Sequence, residues 1–167
     1  VGDKIFVSGR LGEAGIGLDS WQQKIELKDR ASFFHNRLNS PEPQAELGCK
    51  LLHLASSAID ISDGLASDLG HVLEKSGVGA RINANNIPVA VVDNGVALPK
   101  SVLDYALYGG DDYRLCFTAS PDNSDEILKL SSDIIQIGEI TAEAGLTLIS
   151  ATGSQHSLEI DGYNHFA

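Results

Sequence analysis

The sequence predicts an α+β domain built on a mixed β-sheet flanked by helices. Three observations carry that prediction. The 167 residues are 43% hydrophobic and 21% charged, the size and balance of one globular domain with a buried core. Helical and strand periodicities alternate irregularly along the chain, which favours a mixed sheet with packed helices. No repeat, low-complexity tract or apolar run near the roughly 20 residues that span a bilayer interrupts the pattern.

The elements follow in order. Residues 4–8 (KIFVS) read as a strand that meets a glycine-rich stretch, Gly9 to Leu18, whose small residues suggest a helix with its backbone close to something else. Residues 27–38 are polar with Phe33, Phe34 and Leu38 interspersed, as in a helix. Ser40-Pro41-Glu42-Pro43 reads as a helix start, with Ser as cap and Pro and an acid in the first turn. The helix beyond it places Leu47, Leu51 and Leu54 on one face. Residues 58–61 form a strand, and Leu65, Leu69, Val72 and Leu73 a helical stripe that should stop at Gly77. Residues 79–83 alternate as a strand, residues 85–97 are loop-like, and residues 102–108 form a short helix broken by Gly109-Gly110. A strand at 114–118, a helix at 124–130 entered through Pro121-Asp122, and strands at 134–140 and 146–150 complete the set. The last two are expected to pair with each other through a turn at Ala144-Gly145.

Twelve Lys and Arg stand against 23 Asp and Glu, a net charge of −11. That balance argues against nucleic acid or an anionic membrane surface as a partner. Cys49 and Cys116 share no metal or redox spacing and read as buried thiols of a reducing compartment, so a cytoplasmic location is expected. The chain contains no Met and opens at Val1 directly into a strand pattern, so it is expected to be a single domain (1–167) cut from a longer protein.

Two motifs carry chemistry. In Asp60-Ile61-Ser62-Asp63-Gly64-Leu65, the strand period puts Asp60 and Ser62 on one face while Ile59 and Ile61 face the core. Two carboxylates and a hydroxyl where a strand meets a helix can bind a hard cation such as Mg²⁺, and the helix N-terminus offers N–H donors to a phosphate. Ser62 or Asp63 equally reads as a helix cap, which leaves the second acid, Asp60, unexplained. In Gly109-Gly110-Asp111-Asp112-Tyr113, paired glycines permit a tight turn, and its acids can hold a cation, accept from an amine or simply be solvated. The closing segment Gly162-Tyr163-Asn164-His165-Phe166 reads as a docked tail, with Tyr163 either core or stacked on a flat or cationic ligand. The other histidines, His35, His53, His71 and His156, lack metal-ligand spacing, and no P-loop or nucleophile elbow is present.

Together these motifs resemble the C-terminal domain of the thiamine-monophosphate kinases, in the superfamily of aminoimidazole ribonucleotide synthetase and selenophosphate synthetase. The resemblance runs over essentially all of the chain: the GD-x-I-x-V-S-G opening, AIDISDGLASDLGHVLEKSGVGARI, ALYGGDDYRLCFT and GYNHF. It implies transfer of the ATP γ-phosphate to thiamine monophosphate, giving thiamine diphosphate, with Mg²⁺ as cofactor and no covalent nucleophile. It implies Asp60 and Asp63 as Mg²⁺ ligands, Ser62 as an ATP contact, and Asp111 and Tyr163 as substrate contacts. It implies further that an N-terminal domain absent from this chain carries most of the nucleotide site and the homodimer contact, so that this piece alone is inactive. The family turn usually reads GGEDYEL, where this chain has Asp111 and Arg114. The family's Arg-Pro-x-Pro-Arg segment is Ser40-Pro41-Glu42-Pro43-Gln44 here. A related ATP-dependent synthetase domain and a non-catalytic folded module are the rival readings.

Overall fold

Residues 5–7 are apolar on both sides, and the structure uses both. In the computed structural model, which describes residues 1–93 and 95–160, strand β1 (Lys4–Val7) lies inside a seven-stranded sheet. The sheet order is β2-β4-β1-β5-β3-β6-β7, with β2 at Ala55–Asp60, β3 at Gly79–Asn83, β4 at Leu115–Ala119, β5 at Ile135–Thr141, β6 at Gly145–Ile149 and β7 at Gln155–Ser157. Neighbours are antiparallel except β3 and β6, which are parallel. The mixed sheet of the α+β prediction is therefore present.

Strand alternation divides the core. Ile5 and Val7 point into a cluster with Leu65, Leu69 and Leu73 of helix α4 (Leu65–Ser76), while Phe6 points to the opposite face. There Phe6 stacks on its register partner Phe117, ring centroids 5.3 Å apart, beside Leu51 and Ile127. Helix α4 covers the first face and ends on Gly77 in the left-handed conformation, as its stripe predicts. Helices α3 (Ala45–Leu51) and α6 (Ser124–Leu130) cover the second. A third cluster, with Phe34 and Tyr105, joins α1 (Glu13–Trp21), α2 (Ala31–Asn39) and α5 (Val102–Tyr108). Here the close approach foreseen for the glycine stretch occurs: a side chain at Gly17 would collide with the backbone carbonyl of Phe34.

Three expectations are corrected. Strands β5 and β6 do not pair with each other, because β3 lies between them. Residues 142–144 arch over the start of β3, where Gly79 leaves room for the carbonyls of Glu143 and Gly145. Ser40 ends α2 instead of starting a helix; α3 begins at Ala45 after an irregular 41–44 segment. Cys49 is exposed, while Cys116 is buried. The rotation of 100° per residue turns position 49 away from the face that Leu47 and Leu51 bury.

Candidate functional site

Asp60 is the exposed last residue of β2, and Ile61 is fully buried, so the strand period orients this motif as its sequence predicts. The helix cap expected of Ser62 or Asp63 falls elsewhere. Gly64 occupies the N-cap position of α4 at φ 108°, and a Cβ there would lie 2.7 Å from the Leu107 carbonyl. The turn itself is held from inside α4. The Asp68 carboxylate accepts the backbone N–H groups of Ser62 and Asp63 at 2.8 and 3.0 Å. Asp68 is 3% exposed, and burial pushes its carboxyl above the usual range against the pull of those two bonds.

The second motif joins the first through the backbone. Ile61 donates to the Arg114 carbonyl, Tyr113 to that of Ile61 and Asp111 to that of Ser62, all within 2.9 Å. These bonds prolong the β2–β4 pairing beyond both strands. Gly110 permits the approach, since a Cβ there would meet the Ser62 carbonyl at 2.5 Å. Asp111 and Tyr113 both adopt left-handed backbone, at φ 67° and 48°. Such residues concentrate at functional turns and persist where their surroundings hold them. The field of Asp111, then burial, then the fields of Asp60 and Asp63 push the Tyr113 phenol above its ordinary pKa. Three of the sequence-predicted site acids thus lie near enough to act on one phenol.

Between the two left-handed residues, Asp112 turns inward and is 6% exposed. Its carboxylate accepts the N–H groups of Gly12 and Ala14, at the start of α1. Burial pushes it up to about 6, with Glu13 adding to the rise while the two hydrogen bonds and Arg37 oppose it. Arg37 itself donates to Glu13 at 2.8 Å.

Two clefts open beside the turn. One, of about 310 Å³, lies against Ala14, Gly15, Leu18 and Asp19 of α1 and against Gly109, Gly110 and Asp111 of the turn, with Lys24 and Lys100 also lining it. The other, of about 300 Å³, is lined by Asp60, Tyr113, Pro43 and Gln44. The 41–44 segment thus runs beside Asp60, and its Glu42 pairs with Arg114 at 3.6 Å. Two places where this chain departs from the family pattern therefore meet in space. The Arg114 Nε is buried and finds no hydrogen-bond partner among the described residues.

Among the described residues, no group of three or more His, Cys, Asp or Glu is placed to hold a metal ion. Asp60 and Asp63 make a two-carboxylate set, which suits a cation that completes its shell with phosphate oxygens and water, as Mg²⁺ does. Tyr163 and the rest of the closing aromatic segment lie outside the described residues. Sequence reasoning missed the structural roles of Asp68 and Asp112. Asp68 had a usable signal: it sits on the apolar stripe with Leu65 and Leu69, where a buried acid must find donors. Asp112 had none beyond its place between Asp111 and Tyr113, because its partners lie about a hundred residues earlier. Among the described residues, no helix is long and apolar enough to cross a membrane.

Residues 1–150 match the family described as AIR synthase related protein, C-terminal domain. A curated thiamine-monophosphate kinase from Buchnera aphidicola subsp. Schizaphis graminum is 40% identical over 99% of this chain and 53% of its own length. The crystal structure of thiamine-monophosphate kinase from Stenotrophomonas maltophilia K279a superposes with a TM-score of 0.80 at 36% identity, over 89% of this chain and 50% of that one. The structure of AaThiL complexed with AMPPCP and TMP gives a TM-score of 0.81 at 28% identity, over 99% and 52%. The chain spans about half the length of the curated relatives it matches.

Proposed function

This chain belongs to the family of AIR synthase related protein C-terminal domains, and on that premise we propose that it is the C-terminal half of a thiamine-monophosphate kinase. The activity is transfer of the γ-phosphate of ATP to thiamine monophosphate, in the biosynthesis of thiamine diphosphate. One observation supports it most: two motif turns some fifty residues apart are hydrogen-bonded together, so that Asp60, Asp63 and Asp111 gather at one end of the sheet. Phosphoryl transfer between anions depends on positioning and charge neutralisation and needs no covalent nucleophile.

In this reading Asp60 and Asp63 hold Mg²⁺, which neutralises phosphate charge when bound. Ser62 contacts ATP. Asp111 and Tyr163 contact the cationic thiamine moiety, for which a carboxylate and an aromatic face are fitting partners. The rest of the parent protein supplies the remainder of the nucleotide site and the homodimer contact, and the 167-residue chain alone does not turn over. Two cysteines without a disulfide suit a cytoplasmic enzyme.

The test uses the full-length protein, with MgATP-dependent formation of thiamine diphosphate as the readout. The wild type is expected to form product and a folded Asp63→Asn variant none. A folded wild type without product, or an Asp63→Asn variant with full activity, would overturn the reading.

A further inference from the structure

The cleft beside Asp111 has two walls from distant parts of the chain. One is a face of α1, with Ala14, Gly15 and Leu18; the other is the turn with Gly110 and Asp111. The Asp112 carboxylate joins the walls, accepting from Gly12 at 2.5 Å and Ala14 at 3.1 Å, beside a second tie in which the Tyr105 hydroxyl of α5 donates to Asp19 of α1. No part of Asp112 lines that cleft, and its side chain is almost wholly enclosed. We propose that Asp112 is a positioning residue for acceptor-substrate recognition: it ties the Asp111 turn to α1 and so sets the width of the cleft in which Asp111 meets its substrate. This rests on the functional reading above.

Three features of the geometry support the assignment. The flanking residues, Asp111 and Tyr113, are both held in left-handed backbone, which relaxes unless the turn is anchored. The backbone bonds from Asp111 and Tyr113 anchor the turn on the side of β2 only. Asp112 is its side-chain anchor toward α1. Moreover, the two amides it accepts belong to the first residues of the helix, which have no intrahelical acceptor of their own. A carboxylate there satisfies α1 and orients Asp111 with the same two bonds.

The consequence is selective. The proposed metal and nucleotide residues sit on the other motif, whose turn, though it accepts a backbone bond from Asp111, has its own side-chain anchor in Asp68. Loss of Asp112 should therefore disturb the acceptor site and spare the MgATP site. A displacement of about 1 Å at a substrate-positioning group costs on the order of a hundredfold.

The test uses the full-length protein with Asp112→Ala and Asp112→Asn. Steady-state kinetics are read beside amide hydrogen exchange. For Asp112→Ala, KM for thiamine monophosphate is expected to rise about 10- to 100-fold, with KM for MgATP within a factor of about two. Exchange should quicken at Gly12 and Ala14 while β1 and β4 keep their protection. Asp112→Asn, whose amide oxygen can accept one of the two N–H groups, should fall between Ala and wild type, and it carries the test if the Ala variant does not fold. Unchanged acceptor KM in an active enzyme would overturn the assignment alone. So would an equal rise in both KM values with protection lost throughout, which is the mark of a merely structural residue. An inactive wild type would refute the functional reading and this assignment with it.

Discussion

Replacing Asp68 by Ala removes the acceptor of two N–H groups, those of Ser62 and Asp63, at 2.8 and 3.0 Å. A hydrogen bond to a charged group contributes about 1.5–3 kcal/mol. Two such bonds set an upper limit of about 6 kcal/mol. Three effects reduce it. Ser62 and Asp63 are only partly buried, so water can reach their amides once the carboxylate is gone. Asp68 is itself buried, and losing its charge relieves the desolvation that pushes its carboxyl up. Ala also favours the helix over Asp by about 0.5 kcal/mol. The expected loss is about 2–4 kcal/mol, or about 5–15 °C in Tm for a domain of this size. Asp68→Asn keeps an oxygen that can accept both bonds and sheds the buried charge, so it should lie within about 1 kcal/mol of wild type. Urea unfolding followed by circular dichroism, with m unchanged, measures both variants. The reasoning is refuted if Asp68→Ala is as stable as wild type. It is refuted equally if Asn and Ala cost the same, since the acceptor oxygen would then not be what matters.

Asp112 makes stability depend on pH. Its folded pKa of about 6 stands above the unfolded value near 3.8. Between those values the folded protein keeps a proton that the unfolded chain has released, so stability falls as pH rises from about 4 to about 6. At about 1.4 kcal/mol per unit the change is at most about 3 kcal/mol. Asp112→Asn should remove that part of the slope, and urea midpoints between pH 4 and 7 identical in both proteins would contradict it. The two thiols should separate cleanly. Cys49 is exposed and should react with a thiol reagent in the native protein. Cys116 is buried, its thiol pushed up to about 12, and should react only after unfolding. Two equally fast thiols under native conditions would show that β4 opens locally.

Much of the framework was legible because it rests on local patterns. The Leu65, Leu69 and Leu73 stripe and the stop at Gly77 are written at helical spacing, and both stand in the structure. The alternation of Asp60, Ile61 and Ser62 already assigned Asp60 to solvent and Ile61 to the core. Resemblance to a family supplied the roles proposed for Asp60, Asp63 and Asp111, which period and composition could not assign, and the backbone bonds between the two turns bring these acids to one end of the sheet. The misread elements share one cause. Strands β5 and β6 follow each other closely enough to suggest a hairpin, yet β3, more than fifty residues earlier in the chain, takes the place between them. Ser40-Pro41-Glu42-Pro43 has the composition of a helix start, but the segment runs alongside Asp60 and gives Glu42 to Arg114.

The sequence by itself determined the periodic elements, the turns that need glycine and the acids that stand at strand ends. Each of these depends on residues within a few positions of one another, where spacing alone decides which face a side chain takes. Only the tertiary structure decided which acids open into a cleft and which hold the scaffold. Asp111 and Asp112 are adjacent and chemically identical. One opens into a cleft, and the other is enclosed against Gly12 and Ala14, because the left-handed backbone on either side of Asp112 turns their carboxylates apart.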